Sequence, residues 1–190
     1  MRLAYHGATH VKSDLKTDIL ASQRAGFTAI EAWAAKLDEY LKDHSLSEAK
    51  AIFADNGVEP ISINSIEFIG FRGDDYEKVR NRCKELSEIA EGIGCPRLVV
   101  VPSPTPPAKA DSVLELFFPW RNVVDEYVYV LQDLSDIAQP YGVNLCFEFL
   151  GFAWCSVRTP RGACEIVQEV DRDNVGVNFD CCHFFGGGGE

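Results

Sequence analysis

Apolar and polar positions along this chain follow two rhythms. The first is a short run of β-branched or aromatic residues, clearest in Leu98-Val99-Val100-Val101. Unbroken apolar runs of this kind mark strands covered on both faces, as in parallel sheets. Six segments read this way: Arg2–His6, Phe27–Ala32, Val58–Asn64, Arg97–Val101, Val143–Phe149 and Val175–Asp180. The second rhythm is helical. Tyr76, Val79, Cys83, Leu86, Ala90 and Ile93 follow at steps of three or four, one stripe on a helix expected to be capped near Asp74 or Asp75. Val123, Tyr127, Leu131, Leu134 and Ala138 repeat the stripe, with Pro140 after the stop. Thr159-Pro160 offers a third helix a capping hydroxyl and a first-turn proline.

Glycines punctuate the junctions from helix to strand, at Ala25-Gly26-Phe27, Asn56-Gly57-Val58, Ile93-Gly94-Cys95 and Tyr141-Gly142-Val143. Their spacings of 31, 37 and 48 residues suit one strand-plus-helix unit each. Alternation of this kind predicts an α/β fold. Two architectures fit it, a doubly wound sheet and a barrel. No G-x-G-x-x-G follows the first strand, so the dinucleotide-binding version has no support. Six strands and about five helices fill six of the eight units of a parallel (β/α)8 TIM barrel. The expectation is therefore one barrel domain over residues 1–190, lacking its last strands, with Gly186-Gly187-Gly188-Gly189-Glu190 as a loop cut short.

Composition narrows the setting. The chain has 190 residues, 46% hydrophobic and 25% charged, enough for a real core and unlike a disordered segment. No apolar run reaches the roughly 18–20 residues of a membrane span, and Met1-Arg2-Leu3-Ala4-Tyr5-His6 lacks the apolar stretch of a secretory signal. Cytoplasmic residence and no membrane partner are expected. With 18 basic and 29 acidic residues the net charge is -11, which repels a phosphate backbone and disfavours nucleic acid as a partner. Seven cysteines without a C-x-x-C pair read as reduced thiols, mostly small core residues.

In either parallel architecture functional groups gather at the carboxyl ends of strands. Those ends carry His6, Glu31, Asn64, Glu148 and Asp180, with His183 just beyond. Glu148 closes the otherwise apolar Leu145-Cys146-Phe147-Glu148, where an ionised carboxylate needs a cation or donors, an arginine partner being the structural alternative. Asp180 and His183 form a D-x-x-H at the next strand end, and with Glu148 they suit a divalent ion such as Mn, Co, Zn or Mg. Trp33 and Phe68 follow strands two and three, ready to stack on a ring or to pack under a loop. His6 and Glu31 are placed to hydrogen-bond a ligand's hydroxyls or to cap the mouth. Val101 to Pro107 reads as a stiff connector, and His44 as a surface residue.

The segments Lys36–Leu46, Leu134–Val143, Cys146–Phe149 and Arg172–Gly176, leading into Asp180-Cys181-Cys182-His183, resemble the xylose isomerase-like TIM-barrel superfamily of sugar isomerases, epimerases and endonuclease IV-type enzymes. Within it the likeness is to the inosose (2-keto-myo-inositol) isomerase branch. The resemblance implies that Glu148 ligates the metal and exchanges a proton with substrate, that Asp180 is a second ligand, and that His183 contacts substrate or metal. It implies a metal-dependent enzyme of inositol or carbohydrate metabolism, an isomerase or epimerase of a small keto-polyol or ketose, working through an enediolate by proton transfer or by the family's other route, a hydride shift. A phosphodiesterase of the endonuclease type would need more histidines than the four present. The family's further histidine and second catalytic glutamate, on strands seven and eight, match no position here. A chain so truncated is expected to bind metal weakly, to turn over little or no substrate, and to self-associate as a homo-oligomer through open sheet edges.

Overall fold

The computed structural model of the chain describes residues 2–106 and 118–189. Along the chain run β1 (Tyr5–His6), α1 (Leu15–Arg24), β2 (Ala29–Trp33), α2 (Ala34–Tyr40), α3 (Leu46–Asp55), β3 (Glu59–Ile66) and α4 (Tyr76–Ile93). There follow β4 (Arg97–Val100), α5 (Trp120–Ala138), β5 (Asn144–Glu148), α6 (Pro160–Val170), β6 (Val175–Asn178) and α7 (Cys181–Gly186). The six strands pair in parallel in the order β1-β2-β3-β4-β5-β6. That order is the barrel order expected from the sequence. A doubly wound sheet reverses its order where the helices change faces, whereas an unbroken order keeps right-handed crossovers on one face, as in a barrel.

The expected strands all form, with shifted ends. The first shrinks most: Leu3 stays exposed, and Arg2 reaches across the sheet edge to Glu59 at 2.5 Å and to the Thr28 carbonyl at 2.5 Å. β4 is buried apart from Arg97, as its apolar run requires. Gly26, Gly57, Gly94 and Gly142 all adopt φ between 62° and 83°, the left-handed stop expected of them. Thr159 caps α6, its hydroxyl accepting the Gly162 amide at 3.2 Å, with Pro160 in the first turn.

One helix end differs from expectation, while α5 stops at Ala138 with Pro140 beyond it as the sequence predicts. Neither Asp74 nor Asp75 caps α4 through its side chain. A 3-10 turn over Gly73–Asp75 leads in instead, and the Asp75 carboxylate takes Lys78 at 2.6 Å. Beyond α5 the chain makes one more 3-10 turn, Gln139–Tyr141, before Gly142 stops it. Pro140 sits early in that turn, where its missing N–H costs no bond.

The core fills the space between sheet and helices with fully buried Ile30, Ile63, Leu98, Leu145 and Phe147 against Leu86, Leu131, Leu134 and Ile166. At the carboxyl ends of the strands, Tyr127 of α5 ties three loops together. Its oxygen accepts the Ser103 amide at 2.7 Å and lies 2.8 Å from the Ser156 hydroxyl, while Ser103 Oγ donates to the Gly70 carbonyl at 2.5 Å. Gly70 is required there, since a Cβ would stand 2.8 Å from the Tyr127 ring. The segments after β4 and β5 also run antiparallel for a short distance: Pro104 bridges Cys155, and the Thr105 amide donates to the Trp154 carbonyl at 2.9 Å.

Candidate metal and substrate site

Register brings the chemistry to one end of the sheet. Glu148 pairs with Asn178 across β5 and β6, and His6 with Glu31 across β1 and β2. Two residues beyond β6's end, Asp180 caps α7, its Oδ1 accepting the His183 amide at 2.7 Å. This cap turns the His183 side chain back over β5, where its Nε2 lies 3.7 Å from Glu148 Oε1. One donor atom each from Glu148, Asp180 and His183 falls within 4.8 Å of the others.

The trio fits a divalent cation on electrostatic grounds. Glu148 is 6% exposed, and the hydrogen bond it accepts is one neutral contact, from Asn178 Nδ2 at 2.9 Å. Burial pushes its carboxyl above the usual range, with Asp180 and Glu31 adding negative potential, against the opposing Asn178 bond and His6. Two carboxylates and an imidazole converging in such a place form the oxygen-and-nitrogen set that Zn, Mn or Co accepts.

His6 and Glu31 do not reach the trio separately; they pair with each other at 3.0 Å. His6 Nδ1 accepts the Ala8 amide at 3.0 Å, so Nε2 carries the proton facing Glu31. Glu31 also accepts from Ser62 at 2.5 Å and Asn64 at 3.2 Å. Burial opposes its charge, yet these three donors hold its carboxyl below the ordinary value.

Above the trio opens a cavity of about 350 Å³, with His6, Asn64, Glu148, Asp180 and His183 on its polar side. Phe68, Phe152 and Trp154 form its aromatic side. Phe68 thus stands where the sequence put it. Trp33 does not line this cavity. It faces a separate space of about 560 Å³ beside Lys36, Tyr40 and His44, larger but remote from the carboxylates. His44 lies in the turn between α2 and α3, stacked on Tyr40 at 4.2 Å. Cys181 and Cys182 are exposed on α7 and take no part in the trio.

Comparison with known proteins bears on the family and the fold. The family described as xylose isomerase-like TIM barrel matches residues 19–190. The chain belongs to that family. Among curated xylose isomerase-like proteins it is similar to inosose isomerase of Halalkalibacterium halodurans, 37% identical over 97% of this chain and 63% of that protein. It is also similar to inosose isomerase of Bacillus subtilis, 35% identical over 97% of this chain and 64% of the relative. The chain therefore spans less than two thirds of the length of these relatives. Among solved structures, the IOLI protein with a bound zinc atom matches with a TM-score of 0.89 at 34% identity, covering 99% of this chain and 66% of that one. A D-psicose 3-epimerase from Clostridium cellulolyticum H10 matches with a TM-score of 0.77 at 18% identity, over 97% of this chain and 65% of its own, a likeness of fold. No helix among the described residues is long and apolar enough to cross a membrane.

Sequence reasoning missed Asn178, Phe152 and Trp154. Asn178 sits directly opposite Glu148 in the parallel register, a position legible once the two strands are aligned. Phe152 and Trp154 fall four and six residues after Glu148, in the βα loop where barrel proteins carry their ligand contacts.

Proposed function

We propose that this chain carries the metal and substrate site of a divalent-metal-dependent isomerase or epimerase acting on a keto-polyol or ketose, with inosose the best candidate. The observation that carries the reading is the convergence of Glu148, Asp180 and His183 at one strand end, beside the His6–Glu31 pair. The inosose isomerase relatives and the zinc-bound IOLI structure support the substrate and the metal. They are longer than this chain, so the activity named for them is carried over here as a proposal.

By the proton-transfer route, isomerising a hydroxyketone takes the proton from the carbinol carbon next to the carbonyl, leaving an enediolate, and returns a proton to the neighbouring carbon; a hydride shift between the two carbons is the alternative route. A divalent ion held by Glu148, Asp180 and His183 would supply Lewis-acid stabilisation of the developing oxygen charge. Glu148 is the candidate for one of the two proton-transfer roles, taking the carbinol proton or returning one to the neighbouring carbon. In the metal-free chain burial raises the Glu148 carboxyl above its ordinary range, and a divalent ion beside it would offset that shift and favour the carboxylate form that a base requires. Asn178 fixes the orientation of one carboxylate oxygen and leaves Oε1 toward His183 and the cavity. His6 lines the same cavity with both ring nitrogens engaged, Nδ1 by the Ala8 amide and Nε2 by Glu31, so it fixes the Glu31 carboxylate at the mouth of the site.

Metal analysis of the purified chain, paired with an assay on 2-keto-myo-inositol, tests the reading. The expected result is about one divalent ion per chain, lost in Asp180→Ala and Glu148→Gln variants, and any turnover lost with it. A chain that takes up no divalent metal, or a Glu148→Gln variant with normal turnover, would overturn it.

A further inference from the structure

The aromatic side of the cavity is built with more care than packing alone requires. Phe152 and Trp154 are 47% and 45% exposed, yet their rings stack at 5.2 Å and 12°. Phe152 meets the His183 ring edge-on at 5.1 Å, and Phe68 meets Trp154 edge-on at 6.1 Å. Large rings left half in water gain little burial energy where they stand, so their placement calls for an occupant. The backbone that presents them is held on both sides. Toward β4, the Ser156 amide donates to the Ser103 carbonyl at 3.1 Å, and the Trp154 carbonyl accepts from Thr105. Toward α7, a Cβ on Gly151 would stand 2.2 Å from the His183 carbonyl, so loop and helix touch backbone to backbone. Phe68 itself holds φ at 56°, a costly conformation for a bulky residue that persists only where its surroundings impose it.

We propose that Phe152 and Trp154, backed by Phe68, form a preorganised platform for the C–H face of a six-membered polyol ring, and that this platform makes the site select cyclic over open-chain polyols. The inference rests on the keto-polyol reading above and adds the ring-selecting residues to it. A cyclic polyol carries its oxygens around the rim and its hydrogens on the faces. One face can lie against the outer face of the stacked pair while the rim reaches the polar groups that line the same cavity, Glu148 and His183 among them. An open chain has no lasting apolar face and must freeze several torsions to imitate one.

Nuclear magnetic resonance of the indole N–H groups in the full 190-residue chain tests this, with myo-inositol and D-sorbitol as probes. The chain has three tryptophans, so Trp33→Phe and Trp120→Phe variants assign the Trp154 signal. The expected result is saturable movement of the Trp154 resonance with myo-inositol, and binding of sorbitol at least about fivefold weaker. Trp154→Leu, which keeps apolar bulk but removes the flat face, should weaken myo-inositol by about fivefold and leave sorbitol unchanged. Phe152→Leu repeats the test should Trp154→Leu fold poorly, and divalent-metal uptake reports that each variant keeps its site. Equal binding of the two polyols, no binding of either, or undiminished myo-inositol affinity in the folded variants would overturn the platform. A chain that binds metal but shows any of these results loses the platform and keeps the isomerase reading. One that discriminates the ring through Trp154 yet takes up no metal keeps the platform and loses that reading.

Discussion

Replacing Tyr127 by Phe removes one oxygen from a closed circuit of hydrogen bonds, and the circuit's proton directions set the cost. Ser156 Oγ donates its single proton to the Ser103 carbonyl at 2.6 Å, so in the 2.8 Å contact with Tyr127 the phenol must be the donor. The phenol oxygen in turn accepts the Ser103 amide at 2.7 Å. Burial raises the Tyr127 pKa, which keeps that donor proton in place at any ordinary pH. In the variant Ser156 loses a donor it can spare. The Ser103 amide is different: Ser103 is 4% exposed, and a ring edge cannot replace the lost acceptor. An orphaned buried N–H costs about 1–3 kcal/mol. For a chain of this length that lowers the melting temperature by about 2–4 °C per kcal/mol. Urea unfolding followed by circular dichroism measures the loss, with the slope expected to stay constant because the area exposed does not change. The amides of Thr105 and Ser156 should exchange faster, since the loops open before the core does. A midpoint loss below about 0.5 kcal/mol at constant slope would refute the circuit.

Further outcomes follow from other sites. Lys36 and Asp18 are 5% and 2% exposed and paired at 2.5 Å, with the Gly7 and His10 carbonyls as further acceptors for the ammonium. Asp18→Asn should therefore cost about 3–5 kcal/mol in denaturant unfolding, and Lys36→Met combined with it less than the two singles summed. The raised carboxyl of Glu148 penalises folding once pH climbs from the ordinary glutamate range through the folded value, because the unfolded chain ionises first. Metal-free Glu148→Gln should thus be more stable than the parent at neutral pH and equal to it well below the ordinary glutamate pKa; equal stability at both pH values would remove the burial argument. Thiol titration of the native chain should find Cys164, Cys181 and Cys182 fast and Cys83 and Cys95 slow, since the latter two are buried and pushed up to about 12; rapid reaction of Cys83 would show the α4 face to be open.

The strands of this fold were most legible where both faces are covered, as in β4, which has no polar position but Arg97. Strand order was not legible in periodicity, which is local; the barrel expectation came from the missing glycine motif, the number of strand-plus-helix units and the family resemblance, and the order β1 to β6 bears it out. Glu148, Asp180 and His183 stood out because a charge at the end of an apolar strand is expensive and therefore informative. Trp33 followed the same strand-end rule into a different cavity, since α2 begins immediately after it and carries the ring toward Lys36. The cap expected at Asp75 failed for a related reason, its carboxylate being drawn to Lys78 by an ion pair of side chains three residues apart. Phe152 and Trp154 escaped notice because stacking depends on loop geometry, which leaves no period in a sequence.

The antiparallel contact between the segments after β4 and β5 changes how such a protein can diversify. Loops at the mouth of a barrel are ordinarily separable inserts, each free to lengthen or change chemistry while its neighbours stay put. Here Pro104 bridges Cys155, Thr105 holds Trp154, and Ser103 holds Ser156, so the two inserts are spliced into a single cassette. A graft of either segment alone would leave its backbone partners stranded and swing the aromatic rings away from the cavity. Recombination that retunes the ligand range of this scaffold must therefore exchange both segments together, along with the tyrosine on α5 that fastens them.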